Sequence, residues 1–272
     1  MNNKFSIKDK VIAITGGGGV LGGSMAKYLV QNEAKVIILA HNSKNTEKRV
    51  KELNGITPNS ASGYTADVLD EKLLAEIANK IKEKEGRLDG LINAAGGNMP
   101  GATVNPDQTI FDVSTEDIKK VLDLNLMGSV QPSLALGKIM AEQGSGVIIN
   151  ISSMASTQAI TRVLGYSMAK AGIEIFTKWM ATEMAMKFND KIRINALAPG
   201  FFIGNQNRRL LTHEDGSYTE RGETVIRKTP MKRFGDASEL NGTVHYLLSD
   251  AASFVTGTIV PVDGGFSSFS GV

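Results

Sequence analysis

Short apolar runs alternate with longer helix-period segments along almost the whole chain, and few folds are compatible with that alternation. "KVIAIT" (10–15), "KVIILA" (35–40), "SASGYTADV" (60–68), "LDGLINAAGG", "GVIINISS", "KIRINALAPG" and "GTIVPVDGG" read as strands. Between them, helical spacing runs over 20–32, 45–54, 70–86, about 115–142, about 164–188 and 236–249. Repeated βα units need a parallel sheet covered on both faces. Right-handed crossovers then give an α/β, doubly wound sheet of about seven strands. No linker, repeat or low-complexity tract interrupts the pattern, so residues 1–272 read as one domain.

Composition narrows the function classes. At 42% hydrophobic residues over 272 positions the chain can bury a sizeable core. Its 30 basic and 28 acidic residues leave a formal charge of +2, with no nucleic-acid or membrane footprint. Without cysteine there are no disulfides, thiolate metal sites or thiol nucleophiles, which fits a reducing compartment. His41, His213 and His245 are scattered, so no catalytic metal site is expected. "MNNKFSIKDK" has no apolar signal-peptide core, and no apolar run is long enough to span a bilayer; a soluble cytoplasmic protein is expected.

"TGGGGVLGG" (15–23) lies between the first strand and the first helix. There, backbone N–H groups and the positive end of the helix can face a pyrophosphate. Gly17, Gly19 and Gly22 satisfy G-x-G-x-x-G; Gly16, Gly18, Gly19, Val20 and Leu21 are the candidate cradle. Val20 stands where a TGxxxGxG fingerprint has glycine. The expectation is that Gly19 supplies the backbone freedom, Val20 starts the helix with its side chain turned toward the protein, and Gly22 lies where helix and strand pack closely. The second strand ends in "ILAHNSKN". An acid there would bond the ribose 2′-hydroxyl of NAD; Ala40 supplies none, and His41 and Asn42 follow. The stretch repels no 2′-phosphate, so NADP is slightly favoured over NAD.

"GYSMAK" places Tyr166 and Lys170 one helical turn apart, on a shared face. An ammonium beside a phenol stabilises the phenolate, and such a tyrosine can exchange a proton with a carbonyl oxygen or an alcohol. "VIINISSMAS" precedes it and ends a strand, where ligands bind in open α/β sheets.

These motifs, with "ADV" (66–68), "NAAG" (93–96), "LNLMG" (124–128), "INALAPG" (194–200) and "PVDGG" (261–265), occur in the order found in the classical short-chain dehydrogenase/reductase family, which the chain resembles over essentially its whole length. The resemblance implies a Rossmann-type fold and NAD(P)(H) as cofactor. It implies Tyr166 as general acid/base, with Lys170 tuning it and holding the nicotinamide ribose. Ser153, rather than Ser152, orients the carbonyl, and Asn125 supports a water linking Lys170 to solvent. Asp67 and Val68 line the adenine site; Asn93, Ala94, Ala95 and Gly96 sit by the cofactor; Pro199, Gly200 and Phe202 border the nicotinamide. A homotetramer is also implied.

Two insertions carry substrate information. "GGNMPGATVNPDQTIFDVS" follows the fourth strand, and a segment at about 200–230 follows the sixth and would form a lid. The latter opens apolar (Phe201, Phe202, Ile203) and turns polar through Asn205, Gln206, Asn207, Arg208 and Arg209. Arginine pairs with carboxylates through two parallel bonds, which suits an anionic, hydroxylated substrate. Asn98, Ser153, Arg162, Asn205, Arg208 and Arg209 are the candidate substrate contacts. "APGFFIGNQNRRLLT", "GSYTERGE", "TPMKRFG" and "PVDGGFSSFSGV" look closer still to short-chain-type D-mannonate oxidoreductases, also called fructuronate reductases. That likeness implies interconversion of D-fructuronate and D-mannonate. Reduction of another keto-uronate, ketose or small carbonyl compound is the alternative, with a non-catalytic dinucleotide-binding protein more remote.

Overall fold

A computed structural model describes residues 3–204 and 207–271. Seven parallel strands form one sheet in the order β3-β2-β1-β4-β5-β6-β7. They are β1 (Val11–Thr15), β2 (Lys35–Ala40), β3 (Ala61–Thr65), β4 (Gly90–Asn93), β5 (Gly146–Ile151), β6 (Ile192–Pro199) and β7 (Ile259–Val262). β1, β5 and β6 are buried at every position because helices cover both faces. Successive side chains point to opposite faces, so Ile12 and Ile14 enter one core while Val11 and Ala13 enter the other.

The first core is closed by α1 (Val20–Gln31) and α9 (Asn241–Leu248), through Met25, Leu29, Val244 and Leu247. The second is closed by α3 (Glu71–Glu85), α5 (Gly128–Gln143) and α6 (Leu164–Lys187), through Ile77, Ile81, Leu136, Met140, Met180 and Met184. α3 shows how local sequence sets these elements. The Asp70 carboxylate accepts from the Leu73 N–H at 3.0 Å to cap its start. Leu74, Ile77, Ala78 and Ile81 then form its buried stripe. Gly86, at φ +70°, ends it in the left-handed conformation that favours glycine. Ahead of it, α2 (Ser43–Ile56) leans on β2 and β3.

The single helix expected over 115–142 is two. α4 (Thr115–Leu122) passes through one π turn, Asp123–Met127, before α5 begins. Asn125 explains the break: its Nδ2 donates to the Val121 carbonyl at 2.8 Å and occupies the acceptor a regular turn would use. The polar stretch after β6 also holds helices that periodicity alone did not reveal, α7 (Arg208–Leu211) and α8 (Glu220–Lys228). Among the described residues no helix is long and apolar enough to cross a membrane.

The strand order reverses between β1 and β4, so their C-terminal ends flank the switch-point crevice of an open α/β sheet. Thr15 pairs with Asn93, which brings the loops after both strands level with each other.

Candidate active site

The loop after β1 owes its shape mainly to Gly16. This residue sits at φ +67°, and a Cβ there would lie 2.7 Å from the Ala94 carbonyl oxygen. Thr15 Oγ1 accepts from the Ala94 and Ala95 N–H groups, each at 3.2 Å, and so joins the two loops. The freedom expected of Gly19 is not used there: Gly19 is extended at φ −79°, and Gly16 carries the left-handed turn instead. Val20 does start α1, but it is 38% exposed rather than buried against the protein. Leu21, the next residue, is the one that packs toward the core. Gly22 is in tight contact as expected: a Cβ would lie 2.6 Å from the Gly16 oxygen. α1 has no side-chain cap and no acid in its first turn, so its positive end faces the crevice without a protein countercharge. Around Gly18 the nearest side-chain atoms stand 3.6 and 3.7 Å from a Cβ position, in ordinary contact. A glycine cradle and an uncapped helix start fit a pyrophosphate.

At the end of β2, Ala40 is buried and His41 exposed. Asn42 is occupied locally, its Oδ1 accepting from the Asn45 N–H at 3.0 Å to cap α2. Asp67 is exposed and accepts from the Leu69 N–H at 2.9 Å. Val68 is buried against Gly128. Asn93, expected beside the cofactor, instead points its side chain into the protein. Its Nδ2 donates to Ser133 Oγ and Asn150 Oδ1, both at 2.8 Å. Gly96, at φ +157°, has no room for a side chain: a Cβ would fall 2.6 Å from Asn125 Oδ1 and 3.6 Å from Lys170 Nζ.

The polar residues expected to do chemistry meet here. β5 delivers Ser153 to the crevice, and α6 brings Tyr166 and Lys170 back to it. The Ser153 side chain acts on the Tyr166 phenol and favours its ionised form. Ser152 is turned away, donating to Glu174 Oε1 at 2.9 Å, so Ser153 is the serine at the phenol. Lys170 is 4% exposed, donates to the Ile151 carbonyl at 2.8 Å and lies 5.3 Å from the Tyr166 ring centroid. Asn125 is fully buried. Its Oδ1 accepts from the Gly97 N–H at 3.0 Å and its Nδ2 also donates to the Gly97 carbonyl at 2.7 Å, so the side chain pins the loop after β4.

Burial governs both titrating groups. It pushes the Tyr166 phenol above its ordinary value of 10, and the Ser153 side chain pulls it partly back. It brings the Lys170 amine down from 10.5 to about 7. In the chain alone, burial is the larger influence on the phenol and outweighs the Ser153 contribution. At neutral pH the proton rests on Tyr166, where a carbonyl oxygen could receive it. A stability consequence follows. Between pH 7 and 10.5 the unfolded lysine keeps a proton that the folded one has shed, so raising pH through that window favours the folded chain. In pH-resolved denaturant titrations, the stability of the native chain relative to Lys170→Met should rise from pH 7.5 to 9.5; a flat difference contradicts the assignment.

The segment expected to form a lid is built differently from the expectation. Its apolar residues form a small core of their own: Leu211, Val225 and Phe234, with Phe201, Ile203 and Ile226 against them. Phe202 is buried in the main core, and its ring fills the space over Gly235, which has no side chain. Gly200 follows Pro199 and lies tight on Asp263, where a Cβ would be 2.7 Å from its Cα. Arg208 and Arg209 are exposed, and Asn205 lies outside the described residues. Asn98 donates to Thr103 Oγ1 at 2.7 Å, while its Oδ1 is buried without a partner. Arg162 is tied to the loop after β4, donating to the Val104 carbonyl at 2.8 Å. Sequence reading missed Arg221, whose guanidinium reaches Thr161 just ahead of α6. The signal was present: Thr219 caps α8, and Gly222, Val225 and Ile226 turn inward at helical spacing.

A Rossmann-type sheet with a glycine cradle at its switch point and a Ser–Tyr–Lys cluster beside it defines a dinucleotide-dependent oxidoreductase. The comparisons with known proteins agree. A family model described as Enoyl-(Acyl carrier protein) reductase matches residues 19–267. An uncharacterized oxidoreductase of Bacillus subtilis is 40% identical over 276 residues, covering 98% of each chain. A candidate D-mannonate oxidoreductase from Haemophilus influenza, solved with bound NAD, superposes with a TM-score of 0.90 at 39% identity over 98% of each chain. A candidate NAD(P)-dependent gluconate 5-dehydrogenase from Beutenbergia cavernae, with bound NADP at low occupancy, gives 0.85 at 27% identity over 98% of this chain and 100% of that one. The chain belongs to the short-chain dehydrogenase/reductase family and is an NAD(P)(H)-dependent oxidoreductase acting on a CH–OH group or its carbonyl.

Proposed function

We propose that this enzyme reduces a keto sugar acid to the hydroxy acid, reversibly, with D-fructuronate and D-mannonate as the pair. The observation that carries the reading is the meeting of Ser153, Tyr166 and Lys170 at the end of β5, beside the glycine cradle. The relatives support the substrate class: the Haemophilus structure is described as a candidate D-mannonate oxidoreductase and the Beutenbergia one as a candidate gluconate 5-dehydrogenase.

The dinucleotide, when bound, supplies or accepts the hydride. Backbone groups from Gly16 to Leu21 would hold its pyrophosphate, and Asp67 and Val68 its adenine. Backbone of Ala94 to Gly96, with Pro199 and Gly200, would hold its nicotinamide half. Ser153 and Tyr166 hydrogen-bond the substrate's ketone oxygen. Tyr166 gives that oxygen its proton, and Lys170 stabilises the phenolate left behind. Asn125 keeps Gly96 and Gly97 against this cluster. Ala40 supplies no carboxylate at the end of β2 to repel a 2′-phosphate, which supports use of NADPH as well as NADH, with the exposed His41 as the neighbouring residue.

Initial rates test this reading, measured with D-fructuronate crossed against NADH and NADPH, and with other keto sugar acids and neutral ketoses. A strong preference for fructuronate is the expected result. Efficient reduction of a different keto acid would correct the substrate. Preference for neutral ketoses would overturn the anionic class, and NAD(P)H binding with no turnover of any carbonyl would overturn the enzyme.

A further inference from the structure

Two arginines converge on the turn that leads into α6, the helix that carries Tyr166. From the lid, Arg221 on α8 donates Nη1 to Thr161 Oγ1 at 3.2 Å and Nη2 to the Thr161 carbonyl at 3.3 Å. The next residue, Arg162, donates Nε to the Val104 carbonyl at 2.8 Å and Nη2 to Asn105 Oδ1 at 3.3 Å. Three segments therefore meet here: the loop after β4, the turn before the Tyr166 helix, and the lid. Arg162 itself sits at φ +78°, a left-handed conformation that is uncommon and costly for a residue other than glycine. The fold holds this turn in spite of that cost.

Every one of these partners is a neutral oxygen: two backbone carbonyls, a hydroxyl and an amide. Among the described residues, neither arginine forms an ion pair with a carboxylate, whereas Arg49, Arg87 and Arg233 each do. Burial, and then the charge of Arg162, both act against the cation at Arg221. Two half-buried guanidiniums that repel each other and lack an acid are stabilised by an anion between them. Arg208 and Arg209 are exposed on α7 and have no such setting.

We propose that Arg221, backed by Arg162, binds the carboxylate of the substrate and makes the lid the element that selects sugar acids over neutral ketoses. This rests on the keto-acid reading above. In it, the Arg221 guanidinium exchanges its two Thr161 bonds for two parallel bonds to the carboxylate while Tyr166, early on the helix that follows the turn, meets the ketone. The lid then serves as a reader of charge as well as a cover.

The test uses Arg221→Met and Arg221→Lys in the full chain, with kcat and KM for D-fructuronate and D-fructose, NAD(P)H affinity by fluorescence titration, and thermal unfolding to establish folding. Losing a charge-assisted bidentate contact should raise KM for the acid about 10- to 100-fold, with a much smaller change in kcat. The ratio of kcat/KM for acid over ketose should fall by a similar factor, and Arg221→Lys should recover part of it. Equal losses on acid and ketose in both variants would make Arg221 a structural tie of the lid and overturn the proposal, as would an unchanged KM for the acid. The native enzyme's own rates judge the keto-acid reading separately: a native preference for D-fructose defeats that reading, whereas an unchanged acid-to-ketose ratio in the variants defeats only the role of Arg221.

Discussion

Tyr166→Phe should lower turnover by about 100- to 10,000-fold, the range general acid catalysis contributes, while dinucleotide affinity stays close to that of the native enzyme. The reason lies in which atom is lost. The phenylalanine ring fills the same space on α6, so Lys170 keeps its hydrogen bond to the Ile151 carbonyl and the π turn keeps its hold on Gly97. What disappears is the hydroxyl that Ser153 acts on and that carries the proton at neutral pH. A ketone accepting hydride then develops alkoxide charge with only Ser153 to stabilise it. Steady-state kcat together with a nucleotide fluorescence titration separates the two effects. Near-native turnover in the variant would remove Tyr166 from the chemistry. A large loss of dinucleotide affinity would instead mean that the tyrosine acts through binding.

Gly16→Ala should abolish dinucleotide binding and destabilise the chain by roughly 2 kcal/mol or more, because two costs coincide. An L-residue at φ +67° pays a conformational penalty of roughly 1–2 kcal/mol. The new methyl would also lie 2.7–2.8 Å from the carbonyl of Ala94 and the nitrogen of Ala95, which are backbone atoms anchored by Thr15 and cannot swing aside. Relief requires the two loops of the switch-point crevice to part, and the cradle opens with them. Gly18→Ala is the matched control. Its Cβ would meet only ordinary contacts at 3.6 and 3.7 Å, so stability should be preserved. Denaturant unfolding and cofactor titration of both variants check the argument; equal stability of Gly16→Ala and the native chain would contradict it.

The sheet was legible because burial on both faces forces continuous apolar strands, and each of the expected strands lies in it. Helix ends written by side-chain caps and glycines, such as Asp70 and Gly86, were equally readable. The π turn was not, since Leu122 to Gly128 keeps helical composition and only the Asn125–Val121 and Asn125–Gly97 bonds, made in three dimensions, break the register. The glycine loop was located correctly, but its left-handed residue was not: composition cannot say which of several neighbouring glycines lies under the next loop. The Tyr166–Lys170 pair was legible from helical spacing. The balance of its charges was not, because burial depends on the whole packed neighbourhood. The lid was hardest. Phe201, Phe202 and Ile203 read as a substrate cover, yet they serve the lid's own core and the main one, and the cation facing the α6 turn is Arg221 rather than Arg208 or Arg209.

Label transfer tests the central claim most directly. The enzyme would be supplied with NADH or NADPH carrying deuterium at the transferable C4 position, together with D-fructuronate, and the isolated product examined by mass spectrometry and NMR. The account predicts D-mannonate with one deuterium, bound at the new carbinol carbon, and about 100-fold less labelled product or lower still when Tyr166→Phe replaces the native enzyme for the same time. A product without deuterium, or cofactor oxidation with D-fructuronate recovered unchanged, would contradict it.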